Sequence, residues 1–390
     1  MKIQALVRML TCADITKWLG EAVRPQTGTL GCSRPLFAAA AAGVMLAAVT
    51  TPAQTVSNIF VIAMENHNFT QPASVKKPQP ILGNPAAPFI NSLITPGNPN
   101  AAQVSFATAY YNAGLGVHPS EPNYVWAEAG SDFGVHTDAD PSPANGNTFY
   151  DQSNHVTAQL NAAGIPWKNY QEDVEFSASP TNSASGTASS ANPFNGSSQI
   201  GYAVKHNPMA FFADTDIENV FPLEQLFADL TNGAVGRYNW ITPNLFNDAH
   251  SALKGGFKYL GSHFSGDQAA VAQGDNFLSI VVPQIMASPA YQSNGVIVIW
   301  WDETEGGDDT NFTLPEIVIS PLAKGNAYAS TVPMSHSSDI KTWDEVFGVG
   351  LLNNPIPATE TNNFGGFNSV PTANDLSDLF LPGVIPGIGN

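Results

Sequence analysis

Apolar runs along this chain stop abruptly at polar residues. Ile59–Met64 (IFVIAM) ends at Glu65-Asn66, and Tyr238–Thr242 (YNWIT) leads through Pro243-Asn244 to Asp248 and His250. Val296–Trp301 (VIVIWW) ends at Asp302-Glu303, and residues 317–319 end at Ser320-Pro321. Continuous apolar runs without period-two alternation predict strands covered on both faces, as in α/β sheets. Helical patterns lie between them, around 123–129, 155–163, 223–230, 275–287 and 340–347. In an open α/β sheet, ligands bind beyond the carboxyl ends of the strands, which is where these polar residues fall. Residues 177–199 are rich in Ser, Ala, Asn and Gly and are expected to form a flexible surface insertion, too small and polar to pack. Residues 353–390 read as an irregular tail over the body. With no internal repeat and no strong linker, residues 54–390 are expected to form one domain.

Charge and cysteine usage change the picture of where the chain works. Residues 36–49 (LFAAAAAGVMLAAV) are uncharged, follow Arg24 and Arg34, and precede a Thr-Pro-Ala that ends at Ala53. The run is shorter than the roughly 20 residues of a membrane-spanning helix. It reads as a secretory signal over residues 1–53; a buried alanine-rich helix is the other reading. Cys32 precedes the run rather than following it, which argues against a lipid anchor. Removal of 1–53 takes both cysteines and leaves 9 cations against 30 acids, with Arg237 the one remaining arginine. A secreted or periplasmic protein without disulfide, thiolate chemistry or stable membrane anchor is expected. Its acidity argues against nucleic acid as a partner.

Several short motifs could carry chemistry. Glu65-Asn66 and Asp302-Glu303 are hard-oxygen pairs at strand ends, suited to a divalent cation such as Mg, Ca or Mn. Each pair alone reads more readily as a turn or helix cap; their joint position favours one shared metal ion. In His118-Pro119-Ser120-Glu121-Pro122-Asn123, Ser120 precedes a helix and could simply cap it. The same geometry offers the alternative of a nucleophile at a helix N-terminus, where free N–H groups and the dipole suit a phosphoryl group. His118 and Asn123 would line that pocket. His250 and His336 follow strands and could bind phosphate or pass protons, with Asp248 orienting His250. His67, His136, His155, His206 and His263 have less context and are taken as structural.

The segments FVIAMENHNFTQ, HPSEPNYVWAEAG, YNWITPNLFNDAHS, VIVIWWDETEGGDD, PEIVISPLAKG and MSHSSDIKTWDEVFGV, in this order over about 58–350, resemble the phosphoesterase family of bacterial and fungal acid phosphatases and phospholipases C. The resemblance implies an alkaline-phosphatase-like fold, a three-layer α/β/α sandwich with a mostly parallel central sheet. It implies Glu65, Asn66, Asp302 and Glu303 around a metal ion, and Ser120 becoming phosphorylated. Asn68 stands where relatives usually have Ser, and Thr304 to Asp309 carry no His after the acidic pair. The expected activity is a metal-assisted acid phosphatase acting on a phosphorylated small molecule through a phosphoserine. Because histidinium must supply charge that arginine does not, and its ordinary pKa is near ~6.5, an acidic optimum is expected. The rivals are a phospholipase C, with Trp126, Trp167, Tyr170 and Trp301 as a headgroup cage, and a non-catalytic binding protein on the same scaffold.

Overall fold

Eight strands form the central sheet: β1 (Ile59–Met64), β2 (Val104–Ala107), β3 (Trp167–Gln171), β4 (Val220–Pro222), β5 (Tyr238–Thr242), β6 (Val296–Trp301), β7 (Glu316–Ile319) and β8 (Tyr328–Ser330), in the spatial order β8-β2-β7-β6-β1-β5-β3-β4. A computed structural model describes residues 55–142, 154–215, 217–360 and 368–387. The expected export segment, residues 1–53, lies outside the described residues. Only β7 runs against the rest. Every residue of β1, β5 and β6 is buried; β1 and β6 therefore read as unbroken apolar runs, while β5 buries Asn239 and Thr242 among its apolar residues. Strands β2, β3, β4 and β8 escape the pattern. β3 reads WKNYQ, with polar side chains that are satisfied inside the fold, and β4 and β8 are only three residues long.

The helices are α1 (Pro88–Leu93), α2 (Ser120–Ala129), α3 (Val156–Ala162), α4 (Glu224–Asn232), α5 (Asp267–Met286), α6 (Pro289–Gln292) and α7 (His336–Phe347). They pack in two groups, α2 with α3 and α7, and α5 with α1 and with α6, which meets α4. The result is the expected α/β/α layering around a mostly parallel sheet. Helix α5 starts eight residues before the expected position, at Asp267.

The insertion at 177–199 corrects an expectation. Ala184–Thr187 pairs antiparallel with Gln199–Tyr202, and Phe194 is buried against Phe277 of α5. Small polar residues pack here because Asn192 and Asn195 donate to Glu172 and Asn247 at 2.6 and 2.8 Å. In the C-terminal tail, the 3-10 turn Leu376–Leu379 buries Leu376 and Leu379, and Phe380 bridges to Ala323.

Register places the chemistry. Met64 of β1 faces Trp301 of β6, so the next residues, Glu65 and Asp302, emerge side by side. Beyond β5 the chain turns back, and the Glu65 N–H donates to Asp248 O at 2.8 Å. Gly274 of α5 lets this turn close. A Cβ there would sit 2.9 Å from Ala249 Cβ and 2.9 Å from Met64 Cε.

Outside the Glu65 cluster, burial pushes the carboxyls of Glu172 and Asp344 up to about 8 and that of Asp275 to about 6. Amide donors pull each partly back. Each group keeps its proton in the fold after the unfolded chain, titrating near ~4, has lost it. Their contribution is therefore full below about pH 4 and is lost as pH rises through the folded values. The Tm measured by calorimetry should fall from about pH 5 to about pH 8; a flat or rising Tm would contradict this account.

Candidate active site

Ser120 is the first residue of α2, whose N-cap position is held by Pro119 rather than by the serine. The Ser120 hydroxyl donates to Glu65 Oε2 at 3.0 Å. The capping alternative is thereby excluded: the hydroxyl points at the strand ends. At the same helix terminus the Glu121 N–H donates to Asp138 Oδ1 at 3.2 Å.

Glu65 is the hub. Its Oε2 also accepts from Asn66 Nδ2 at 3.0 Å and lies 3.0 Å from His250 Nδ1. Its Oε1 lies 3.1 Å from His206 Nε2. Complete burial would raise this carboxyl, but the charges of His206 and His250 and the bond from His250 hold it down at about 2. The Asn66 N–H donates to Asp302 Oδ1 at 2.9 Å, from a backbone at φ 51°. Burial drives Asp302 well above the usual carboxylate range, and the charges of Glu65 and Glu303 drive it further.

His118 and Asn123 hold Glu303. His118 Nδ1 contacts Glu303 Oε2, and Nε2 lies 2.9 Å from Asp308 Oδ1. Burial alone would lower this imidazole; Asp308 and Glu303 raise it to about 10. Asp308, within the 304–309 stretch, serves as the counter-ion of His118. Asn123 Nδ2 donates to Glu303 Oε2, Val117 O and Pro119 O at 3.2, 3.0 and 3.3 Å. Its amide hydrogens therefore position the Ser120 loop rather than waiting for a phosphate oxygen. Asn68 fills the usual serine position by clasping the 303–305 turn: it donates to Glu305 O at 2.8 Å and accepts from Glu305 N at 2.7 Å.

Asp248 does not orient the His250 ring. Its Oδ1 accepts the His250 backbone N–H at 2.7 Å, and Oδ2 lies 3.4 Å from His206 Nδ1. His206, taken as structural from sequence, therefore stands between Glu65 and Asp248, stacked on Tyr124 of α2. The one signal for it was its place within a Lys-His-Asn stretch of a mixed-polarity loop, which looks like many surface turns.

His336 is not brought to the cluster. Its Nε2 donates to Trp301 O at 3.1 Å and its ring packs on Trp300. Burial pushes it down to about 3, so it is neutral and cannot bind phosphate as a cation. The aromatic cage is also corrected: Trp126, Trp167, Tyr170 and Trp301 are buried, with Trp126 Nε1 bonded to Ser337 and Trp167 Nε1 to Asn161. The acid-optimum argument loses its premise as well. Burial would lower His250, but Glu65 and Asp248 raise it to about 9, so its charge persists through neutrality.

The floor is deep and the rim open. Ser120 is 2% exposed and Glu65 fully buried, while the side chains of His118 and His250 are 35% and 27% exposed. Among the described residues, Glu65 Oε1, Asn66 Oδ1 and Asp302 Oδ2 are buried without a hydrogen-bond donor. Three orphaned hard oxygens beside mutually repelling carboxylates fit a divalent cation. Glu65, His206 and His250 also offer donor atoms within 4.8 Å of one another.

Relatives narrow the chemistry. The phosphatidylinositol-3-phosphatase of Mycobacterium tuberculosis is 24% identical over 359 residues, 91% of this chain and 92% of that enzyme. A phosphate-repressible acid phosphatase of Penicillium chrysogenum is 30% identical over 139 residues, 34% of this chain and 30% of that one. An acid phosphatase of Aspergillus fumigatus is 32% identical over 157 residues, 38% and 31% of the two chains. A solved structure of an alkaline phosphatase superfamily protein from Vibrio parahaemolyticus aligns with a TM-score of 0.46 at 12% identity, over 77% of this chain and 69% of that one, too slight a likeness to carry an argument. The model described as the Phosphoesterase family matches residues 98–350. The protein is a phosphoric ester hydrolase. It belongs to the Phosphoesterase family.

Two substitutions test the geometry. His206→Ala leaves Glu65 and Asp248 without the imidazole between them and should lower turnover of an aryl phosphate by about 10–100-fold; unchanged turnover would make His206 a bystander. Gly274→Val drives a side chain into Ala249 and Met64. Denaturant unfolding should show a loss of about 1–3 kcal/mol, together with reduced turnover.

Proposed function

We propose that the protein is a secreted, metal-assisted phosphomonoesterase of the acid phosphatase type, working through a phosphoserine at Ser120. The observation that carries this reading is the Ser120 hydroxyl aimed at Glu65 Oε2, 3.0 Å away, instead of at its own helix. Export is supported by the apolar run and flanking cations within residues 1–53.

Glu65, Asn66, Asp302 and Glu303 are the proposed metal-binding side chains, with His206 a further donor beside the same carboxylate. A divalent cation held there supplies Lewis-acid stabilisation of phosphoryl charge in a chain that has one arginine beyond residue 53. Ser120 Oγ bonds to phosphorus as the ester P–O bond breaks, and its proton leaves along the existing bond to Glu65. The departing alcohol oxygen takes a proton from the His250 imidazolium, which stays charged through neutrality. Water then attacks the phosphoserine and gives a proton to the now neutral His250. The Ser120 oxygen recovers its own proton from Glu65 as phosphate leaves. His118 and Asn123 hold Glu303 in place throughout.

The relative that spans nine-tenths of this chain is named a phosphatase, as are the fungal ones. That supports monoesters over the diesters of a phospholipase C, as does the burial of the four aromatic residues. Ser120→Ala should cut aryl phosphate turnover by roughly 10³-fold or more with the fold intact by circular dichroism. Acid quenching of the wild type during turnover should trap phosphate on Ser120, and chelation should abolish activity that an added divalent cation restores. Turnover surviving in Ser120→Ala would remove the nucleophile.

A further inference from the structure

A second cluster of ligating side chains lies at the far end of α2, away from Ser120. Helix α2 ends at Gly130, whose φ of 68° terminates it. The chain then turns tightly: Gly134 N donates to Asp132 Oδ1 at 3.0 Å and Val135 N to Asp132 O at 3.1 Å. This turn folds His136 back over Asp132, with Nε2 3.2 Å from Oδ2. The C-terminal segment crosses the same point. Ser131 Oγ donates to Pro355 O at 2.8 Å, Asn354 Nδ2 donates to Ala129 O at 2.8 Å, and Glu360 Oε1 lies 2.8 Å from His136 Nε2.

Two carboxylates and one imidazole thus offer ligand atoms all within 4.8 Å of one another. An acidic cluster alone would mean little, but these carboxylates are not solvated. The Asp132 and Glu360 side chains are 0% and 2% exposed. Among the described residues, Asp132 Oδ2 and Glu360 Oε2 have no hydrogen-bond donor. Two buried carboxylates that face each other are costly, and the one imidazole beside them leaves an oxygen of each without a donor. The other oxygens are already fixed, Asp132 Oδ1 by a backbone N–H and Glu360 Oε1 by His136. His136 is 40% exposed and opens the cluster to water.

We propose that Asp132, His136 and Glu360 form a second divalent-metal site, distinct from the one at the strand ends, which ties the C-terminal segment to the end of the nucleophile helix. One imidazole nitrogen and two carboxylate oxygens suit a borderline cation such as Zn²⁺, with water completing the coordination. The same segment bears on the other end of the nucleophile loop: a Cβ on Gly114 would lie 2.8 Å from Glu360 O. A cation here braces the segment that presses on both sides of Ser120, without touching the reacting atoms.

The test is zinc stoichiometry on metal-stripped full-length protein, by equilibrium dialysis and elemental analysis. Asp132→Asn and Glu360→Gln should each bind one zinc equivalent fewer than wild type while keeping aryl phosphate turnover in metal-replete buffer. His136→Ala, at the exposed rim, should lose the same equivalent even if a buried substitution disturbs folding. Glu65→Gln should retain this equivalent, which separates the site from the catalytic one. Equal zinc stoichiometry in wild type and His136→Ala overturns the proposal, as does a wild type whose bound zinc is wholly removed by Glu65→Gln.

Discussion

A fully buried carboxylate, Glu65, must be kept ionised inside the protein, and the rest of the site follows from how that is done. An isolated buried charge is prohibitively costly. Here His206 and His250 oppose it, and Ser120 and Asn66 donate to it. Each of these partners arrives from a different part of the chain. The orientation of the Ser120 hydroxyl, the charge on His250 and the turn carrying Asp248 are consequences of one solvation problem solved by protein groups in place of water.

The sheet makes that solution possible. Register between β1 and β6 brings Glu65 and Asp302 out at adjacent strand ends, and the charge of Glu65 raises Asp302 further above the range that burial already lifts it out of. The return turn after β5 closes only because Gly274 has no side chain. Helix α2 starts at Ser120 and ends at Ala129, just before the turn that carries Asp132, and Asn354 of the C-terminal segment donates to its last carbonyl. Activity and architecture meet along this one element.

The apolar runs of β1 and β6 were legible because each is buried on both faces, and the polar residues after them marked the functional edge of the sheet. The motifs around Ser120, Glu65 and Asp302 were legible because short local patterns carry them. His206 was not: its role comes from lying between Glu65 and Asp248, separated from them by 141 and 42 positions in sequence. His336 looked equivalent to His250, following a strand and preceding a helix, yet it faces the core, and burial strips its charge. The 177–199 segment looked too small to pack because its asparagines find partners only on other elements.

Sequence alone determined the α/β class and marked the strand ends and the serine as candidates, since apolar runs and local spacing are one-dimensional properties. Tertiary structure decided which histidines are charged, whether the serine caps its helix or faces a carboxylate, and which distant acids share a site. Those outcomes depend on burial and on distances of about 3 Å between groups far apart in the chain, which no local pattern encodes.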